Sequence, residues 1–248
     1  MSRIPIALQL YTVRKLCAED FIGTVEQVAE IGYEGVELAG LYDLSPGEVK
    51  DTLDDLDLEI AGNHMPGERD LDKLVSVNKD LDCDAVWGPC MPEGKLPTDE
   101  EECRTMVEYS NSVGSYLKER GIQLYYHNHS KEFETIGGRY IMDWLLEHTD
   151  PGNVAGEVDV MWAQHADVDP AEYIAKFPGQ VPLVHIKDMD EDHEFIEVGH
   201  GVLDFDSIFE ACEEVDTEWY IVEQDTCKKP PMESVRISFN YFEEKGMI

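Results

Sequence analysis

The residues best able to do chemistry fall at the ends of short apolar runs. Glu37 closes one such run and Asn63-His64 another. His127-Asn128-His129, Glu157-Val158-Asp159, His185-Ile186-Lys187-Asp188 and Glu223-Gln224-Asp225 close four more. Five of the 8 histidines lie at or near these ends: His64, His127, His129, His165 and His185. Carboxylates joined by imidazole, with no thiolate among them, suit a divalent cation such as Mn²⁺, Mg²⁺, Co²⁺ or Zn²⁺. No local signature such as His-Glu-x-x-His is present. Glu132, Asp159, His185 and Glu223 follow one another at 27, 26 and 38 residues. Each gap is about one strand–helix unit, which puts successive ligands on neighbouring strands.

Other readings stand beside these. Glu37 can be a buried acid bonded to a first-turn amide or a neighbouring histidine. Glu157 lies two before Asp159, so both project to one side of a strand, with Glu157 one layer deeper. Both are read as structural. Trp87 and Trp162 suit core or pocket wall equally, and their rim positions favour a wall. Lys187 is either a substrate contact or a surface lysine paired with Asp188.

Positioning such a set needs a repeating scaffold. Short apolar runs alternate with amphipathic stretches eight times, about 31 residues per unit, the length of a βα unit. Strands are expected at Ile4–Leu10, Gly35–Leu38, Glu59–Asn63, Ala85–Trp87, Gln123–His127, Val154–Val158, Val181–Ile186 and Trp219–Val222. Between them, Phe21, Val25, Val28 and Ala29 share a helical face that Gly32 closes. Ser45-Pro46-Gly47-Glu48 has the form of a capping box. Thr98-x-x-Glu101 is expected to cap a long helix ending at Gly121, and Asp169-Pro170-x-Glu172 a later one. Helix seven should start near Asp206. An open doubly wound sheet would want a Gly-rich phosphate turn after the first strand. Here that turn reads Gln9-Leu10-Tyr11-Thr12-Val13-Arg14, without glycine. A closed α/β barrel, (β/α)₈, in one domain over residues 1–248 is therefore favoured, with its working face at the carboxyl ends of the strands.

Composition limits the partners. Acids outnumber bases 54 to 19, a net charge of −35, while 42% of residues are hydrophobic. The apolar content excludes a disordered chain. The charge repels nucleic acid and anionic membranes. No run reaches membrane-span length, and the N-terminal stretch up to Val13 lacks a signal-peptide cleavage site. The 6 cysteines form no Cys-x-x-Cys pair, which suits reduced thiols in a cytoplasm. So large an acid excess also suits molar salt, where the Debye length of about 3 Å screens self-repulsion.

The motifs together resemble the xylose isomerase-like barrels, the sugar phosphate isomerases/epimerases. The similarity runs through Gln9–Arg14, Gly32-Tyr33-Glu34-Gly35-Val36-Glu37, Tyr126-His127-Asn128-His129, Asp159-Val160-Met161-Trp162, His185-Ile186-Lys187-Asp188-Met189, Glu197–Asp204 and Val222-Glu223-Gln224-Asp225. It implies a TIM barrel and one divalent metal held by Glu, Asp, His and Glu from the last four strands. Asp159, His185 and Glu223 match the last three. Where relatives carry a strand-five Glu this chain has Tyr126 and His127, so Glu132 is preferred as the fourth ligand, with His127 as its alternative. Gly199-His200-Gly201 also departs from the usual Gly-Glu-Gly.

The implied chemistry is proton transfer beside a carbonyl through a metal-stabilised enediolate. Glu223 and Glu132 are the expected acid and base, with His127 as substitute. His64, His129 and Lys187 would bond substrate oxygens, and Trp87 and Trp162 would wall the site. Isomerisation, epimerisation and dehydration share that intermediate. The partner is a small sugar, unphosphorylated for want of a phosphate-gripping loop, and a homo-oligomer is allowed. An abasic-site endonuclease or a non-catalytic sugar-binding barrel are the alternatives from other classes.

Overall fold

The computed structural model describes residues 3–65 and 67–248; Ser2, at the head of the N-terminal stretch, lies outside them. Eight parallel strands close a barrel: β1 (Ile6–Gln9), β2 (Gly35–Leu38), β3 (Glu59–His64), β4 (Ala85–Trp87), β5 (Gln123–His127), β6 (Val154–Asp159), β7 (Leu183–Ile186) and β8 (Trp219–Val222). β1 pairs with β2 on one side and with β8 on the other, which closes the ring. The pairing is in chain order throughout, so no strand crosses over another.

Eight helices surround it: α1 (Phe21–Ile31), α2 (Pro46–Asp55), α3 (Leu71–Asp80), α4 (Glu100–Lys118), α5 (Ile141–His148), α6 (Pro170–Ala175), α7 (Phe205–Glu214) and α8 (Pro231–Glu244). Their ends follow local chemistry. Gly32 ends α1 at φ 118°, a left-handed conformation that favours glycine, and its N–H reaches Val28 and Ala29 carbonyls. Ser45 and Glu48 exchange both bonds of a capping box at α2. At α4 the cap is Asp99, which accepts from the Glu101 and Glu102 amides; Thr98 bonds the Glu102 carboxylate instead. Thr98-x-x-Glu101 therefore does not cap the helix, because the following aspartate satisfies two orphan amides with one oxygen. Helix α7 begins at Phe205 with Asp204 as its cap.

Two features go beyond the sequence reading. A 3₁₀ turn (Leu10–Val13) and a short helix (Arg14–Glu19) precede α1, with Gln9 Oε1 accepting from the Tyr11 amide. Two small antiparallel hairpins, Thr135–Tyr140 and Asp188–Ile196, stand beyond β5 and β7. The ring is sealed where the chain's end meets its beginning: Tyr33 packs tilted against Phe239 at 4.8 Å and donates to the Val235 carbonyl.

One strand irregularity positions a functional side chain. The β2–β3 register shifts between Val36 and Glu37, so Glu37 pairs with Gly62. A Cβ on Gly62 would stand 2.6 Å from Glu37 Oε1. Gly62→Ala is thus expected to cost about 1–3 kcal/mol by overpacking. Urea unfolding checks this; an unchanged midpoint would show that the Glu37 carboxylate has room to move.

Candidate active site

The carboxyl ends of the strands deliver a buried polar cluster in two layers. Glu37, on β2, is fully buried and accepts from Gln9 Nε2 at 2.6 Å. His185, on β7, joins the layers: Nε2 lies 2.7 Å from Glu37 Oε2, and Nδ1 lies 2.9 Å from Glu223 Oε2. His64, on β3, completes the deep layer, with Nε2 at 2.8 Å from Glu157 Oε2 and 3.2 Å from Glu37 Oε1. Its ring stacks over His185 and tilts against Trp87.

The upper layer is His127, Asp159, His185 and Glu223. One ligand atom from each lies within 4.8 Å of all the others. The deep group of Glu37, His64, Glu157 and His185 meets the same distance. Asp159 ends β6 and caps the short helix Val160–His165: Oδ1 accepts from the Trp162 amide, leaving Oδ2 free to face the cluster. Buried His127 Nδ1 makes no hydrogen bond, while Asp159 Oδ2 meets Lys187 Nζ at 2.9 Å and Glu37 Oε1 meets His64 Nε2 at 3.2 Å. Two imidazoles and two carboxylates converging there make a donor set that fits a divalent cation.

Lys187 is 1% exposed. Its Nζ stands 2.6 Å from Glu223 Oε2, 2.8 Å from Asp225 Oδ1 and 2.9 Å from Asp159 Oδ2. Pairing with Asp188 does not occur. Asp188 instead accepts from the backbone amides of Met189, Gly199, Gly201 and Leu203, pinning the 199–203 loop beside the barrel mouth.

Burial and neighbours set the protonation states. Burial acts to raise the Glu223 carboxyl, but Lys187 and His185 outweigh it and hold it at about 2. Asp159 goes the other way, raised by burial more than Lys187 and His185 lower it. Burial, helped by the positive charge of His185 and Lys187, keeps His127 neutral by lowering it well below the usual imidazole range. Lys187 stays charged because three carboxylates overcome the cost of its burial.

Glu132 lies elsewhere. It sits in the 3₁₀ turn Ser130–Phe133, where Oε1 accepts from the Tyr126 hydroxyl at 2.8 Å and Oε2 from the His129 amide at 2.9 Å. It belongs to neither four-residue group; the one at the mouth includes His127. A capping turn binds Glu132 to its own loop, whereas His127 ends its strand with the ring inward. Glu132, Trp87, Tyr126 and Arg69 instead line a recess of about 310 Å³ at the rim. His129 is exposed, its ring 5.0 Å from His127 and 5.7 Å from Trp162. The indole N–H groups of Trp87 and Trp162 are buried without an acceptor. His165 packs between Trp162 and His193.

Gln9 and Asp225 were given no role in the sequence analysis, although Asp225 stood in the Glu223-Gln224-Asp225 run. Gln9 carried only its place at the end of an apolar run. Cavity size alone would point away from this site: a space of about 830 Å³ opens at the amino ends of the strands, lined by Asp82, Asp84, Glu218 and Trp219 among others. No converging ligand group lines it among the described residues.

A family model described as a xylose isomerase-like TIM barrel matches residues 25–245. The inosose dehydratase of Clostridium perfringens is 27% identical over 174 residues, 62% of this chain and 58% of that protein, so the match spans less than two thirds of the relative's length. The inosose dehydratase of Clostridium tetani is 25% identical over 289 aligned positions, covering 98% of this chain and 96% of that one. The crystal structure of a sugar phosphate isomerase/epimerase from Parabacteroides distasonis superposes with a TM-score of 0.86 at 26% identity, covering 100% of this chain and 96% of that chain. Among the described residues no helix is long and apolar enough to cross a membrane.

Proposed function

The chain belongs to the xylose isomerase-like TIM barrel family, and from that premise we propose that it is a divalent-metal-dependent isomerase or epimerase of a sugar or keto-sugar, acting by proton transfer beside a carbonyl. One observation carries the reading: His127, Asp159, His185 and Glu223 bring four ligand atoms within 4.8 Å of one another at the carboxyl mouth. These four would hold the ion. When bound, it supplies a Lewis acid that draws charge from a substrate carbonyl.

The chain's own residues do the rest. Glu223, ionised and against one wall, is placed to accept or hold a proton. Glu132 lines the rim recess, its carboxylate fixed by Tyr126 and His129, and is the second acid–base candidate. His127 is neutral and so is available as the substitute base. The Trp87 and Trp162 indoles offer N–H donors to hydroxyls and apolar faces to a ring. The His129 ring stands 5.7 Å from that of Trp162. His64 bonds two glutamates, which supports a part in holding the deep layer beside any substrate contact. Lys187 is saturated by three carboxylates, and Arg14 donates to the carbonyls of Tyr11 and Asp225. Neither offers itself to a phosphate, which supports an unphosphorylated substrate.

Dehydration of a cyclitol or keto-sugar is the second reading, favoured by the inosose dehydratases among the relatives. The two share the first proton abstraction and differ in whether a hydroxyl then leaves. Elemental analysis of the purified protein should find about one divalent ion per chain. Incubation with keto-sugars and cyclitols in D₂O should label the carbon next to the carbonyl, and product analysis separates an epimer from an enone. No label with any substrate, or no bound ion, overturns the proposal.

The charge supports a proposal about the working medium, and with it a cytoplasm rich in salt. At −35 on 248 residues, self-repulsion is strong until ions screen it. The midpoint of thermal unfolding should rise steeply between 0.1 M and 2 M KCl. An equal midpoint at both concentrations would remove the halophilic reading.

A further inference from the structure

Every cation in a site that is to bind a metal sits there at some cost to the metal. Lys187 is the one ammonium within the candidate cluster among the described residues, and it is nearly inaccessible. It touches the two carboxylates the metal reading depends on, Glu223 at 2.6 Å and Asp159 at 2.9 Å. A third carboxylate, Asp225, holds it from outside at 2.8 Å with 23% of its side chain exposed. Three carboxylates meet one ammonium and the His185 ring, so negative charge is in excess there and a divalent ion would offset it. Glu223 Oε2 and Asp159 Oδ2 each have a limited number of lone pairs, and Oε2 already meets His185 Nδ1.

We propose that Lys187 is a tethered counter-ion that competes with the divalent metal for Asp159 and Glu223, with Asp225 as the anchor that draws its ammonium aside. This rests on the metal reading given above and adds a control on metal affinity that resides in this chain. The lysine keeps the carboxylates paired whenever an ion is not on them, which stabilises the empty fold. It also weakens the ion's hold, since a fixed positive charge stands a few ångströms from where the ion must sit. Asp225 sets the balance: with it, the ammonium has an alternative partner; without it, the ammonium presses on Asp159 and Glu223 alone.

The test reads binding rather than turnover. Mn²⁺ affinity is measured by calorimetry on the full chain stripped with chelator, alongside the unfolding midpoint in chelator. In Lys187→Met, Mn²⁺ should bind at least about tenfold tighter, because one like charge has gone. Its midpoint in chelator should fall, and the rise in midpoint on adding Mn²⁺ should exceed that of the unmodified protein. Asp225→Asn should do the reverse and bind Mn²⁺ more weakly, with its fold intact. If Lys187→Met does not fold in chelator, it is purified with Mn²⁺ and its affinity is read by competition against a chelator of known strength. Equal or weaker Mn²⁺ binding in Lys187→Met overturns this inference while leaving the metal reading in place. Absence of Mn²⁺ binding in the unmodified protein overturns both.

Discussion

Glu223→Gln and Asp159→Asn are each expected to lower solvent-deuterium exchange at the substrate carbon by about 10²–10⁴-fold, the scale of removing a positioned acid or base. Both variants should also lose bound divalent ion. The geometry makes them informative because neither should unfold the chain. Asn at position 159 keeps the oxygen that caps the Trp162 amide at 2.9 Å, and Asn caps as well as Asp. What it loses is charge on the oxygen that faces the cluster. Gln at 223 keeps the shape and one acceptor while giving up the proton-accepting carboxylate. A cooperative unfolding transition at a lowered midpoint, with exchange gone, would tie these two side chains to chemistry. Undiminished exchange in both would end the catalytic reading and leave a barrel with a buried ionic cluster.

The second large effect concerns the deep layer. Glu37→Leu should destabilise the protein by about 3–5 kcal/mol, the range for breaking a buried ionic network by removing one partner. Glu37 is fully buried. Its carboxylate serves Gln9 at 2.6 Å, His185 at 2.7 Å and His64 at 3.2 Å. Leucine fits the space but takes the acceptor from the Gln9 amide and leaves His64 with Glu157 alone and His185 with Glu157 and Glu223. Urea unfolding with an unchanged slope measures the loss, and a shift below about 1 kcal/mol would mean that the layer relaxes around the gap. Activity should fall as well, since Glu37 orients the ring whose other nitrogen faces Glu223.

The same layer fixes a sign for pH. Burial lowers the His64 imidazole, but Glu37 and Glu157 outweigh it and raise it to about 10. A folded value above the unfolded one of about 6.5 means a contribution that is complete below about pH 6.5 and is lost as pH rises through 10. Stability should therefore decline on the alkaline side, and Glu37→Leu should flatten that decline.

The architecture could be read from the sequence because it is made of local signals. Apolar runs of strand length recur between amphipathic stretches, and caps such as Ser45-x-x-Glu48 and the left-handed Gly32 mark their ends. The absence of glycine between Gln9 and Arg14 told against an open nucleotide-binding sheet. Asp159, His185 and Glu223 could be placed together because each ends a strand, and a barrel gathers strand ends at one mouth.

What sequence spacing does not determine is direction. Glu132 is an acid within five residues of His127, but a 3₁₀ turn aims it at Tyr126 and its own backbone, while the strand aims the imidazole of His127 at Asp159. Lys187 and Asp188 are adjacent and opposite in charge, yet successive residues project to opposite sides. One enters the carboxylate cluster and the other gathers its neighbour's amide and three amides of the 199–203 loop. The β2–β3 register shift that lets Glu37 sit against Gly62 is a property of two paired strands and belongs to neither alone. Residue types and order determined the barrel and the end of it where the polar side chains gather; only tertiary packing decided which acid faces which histidine, because those partners are chosen across strands that the chain visits dozens of residues apart, 148 for Glu37 and His185.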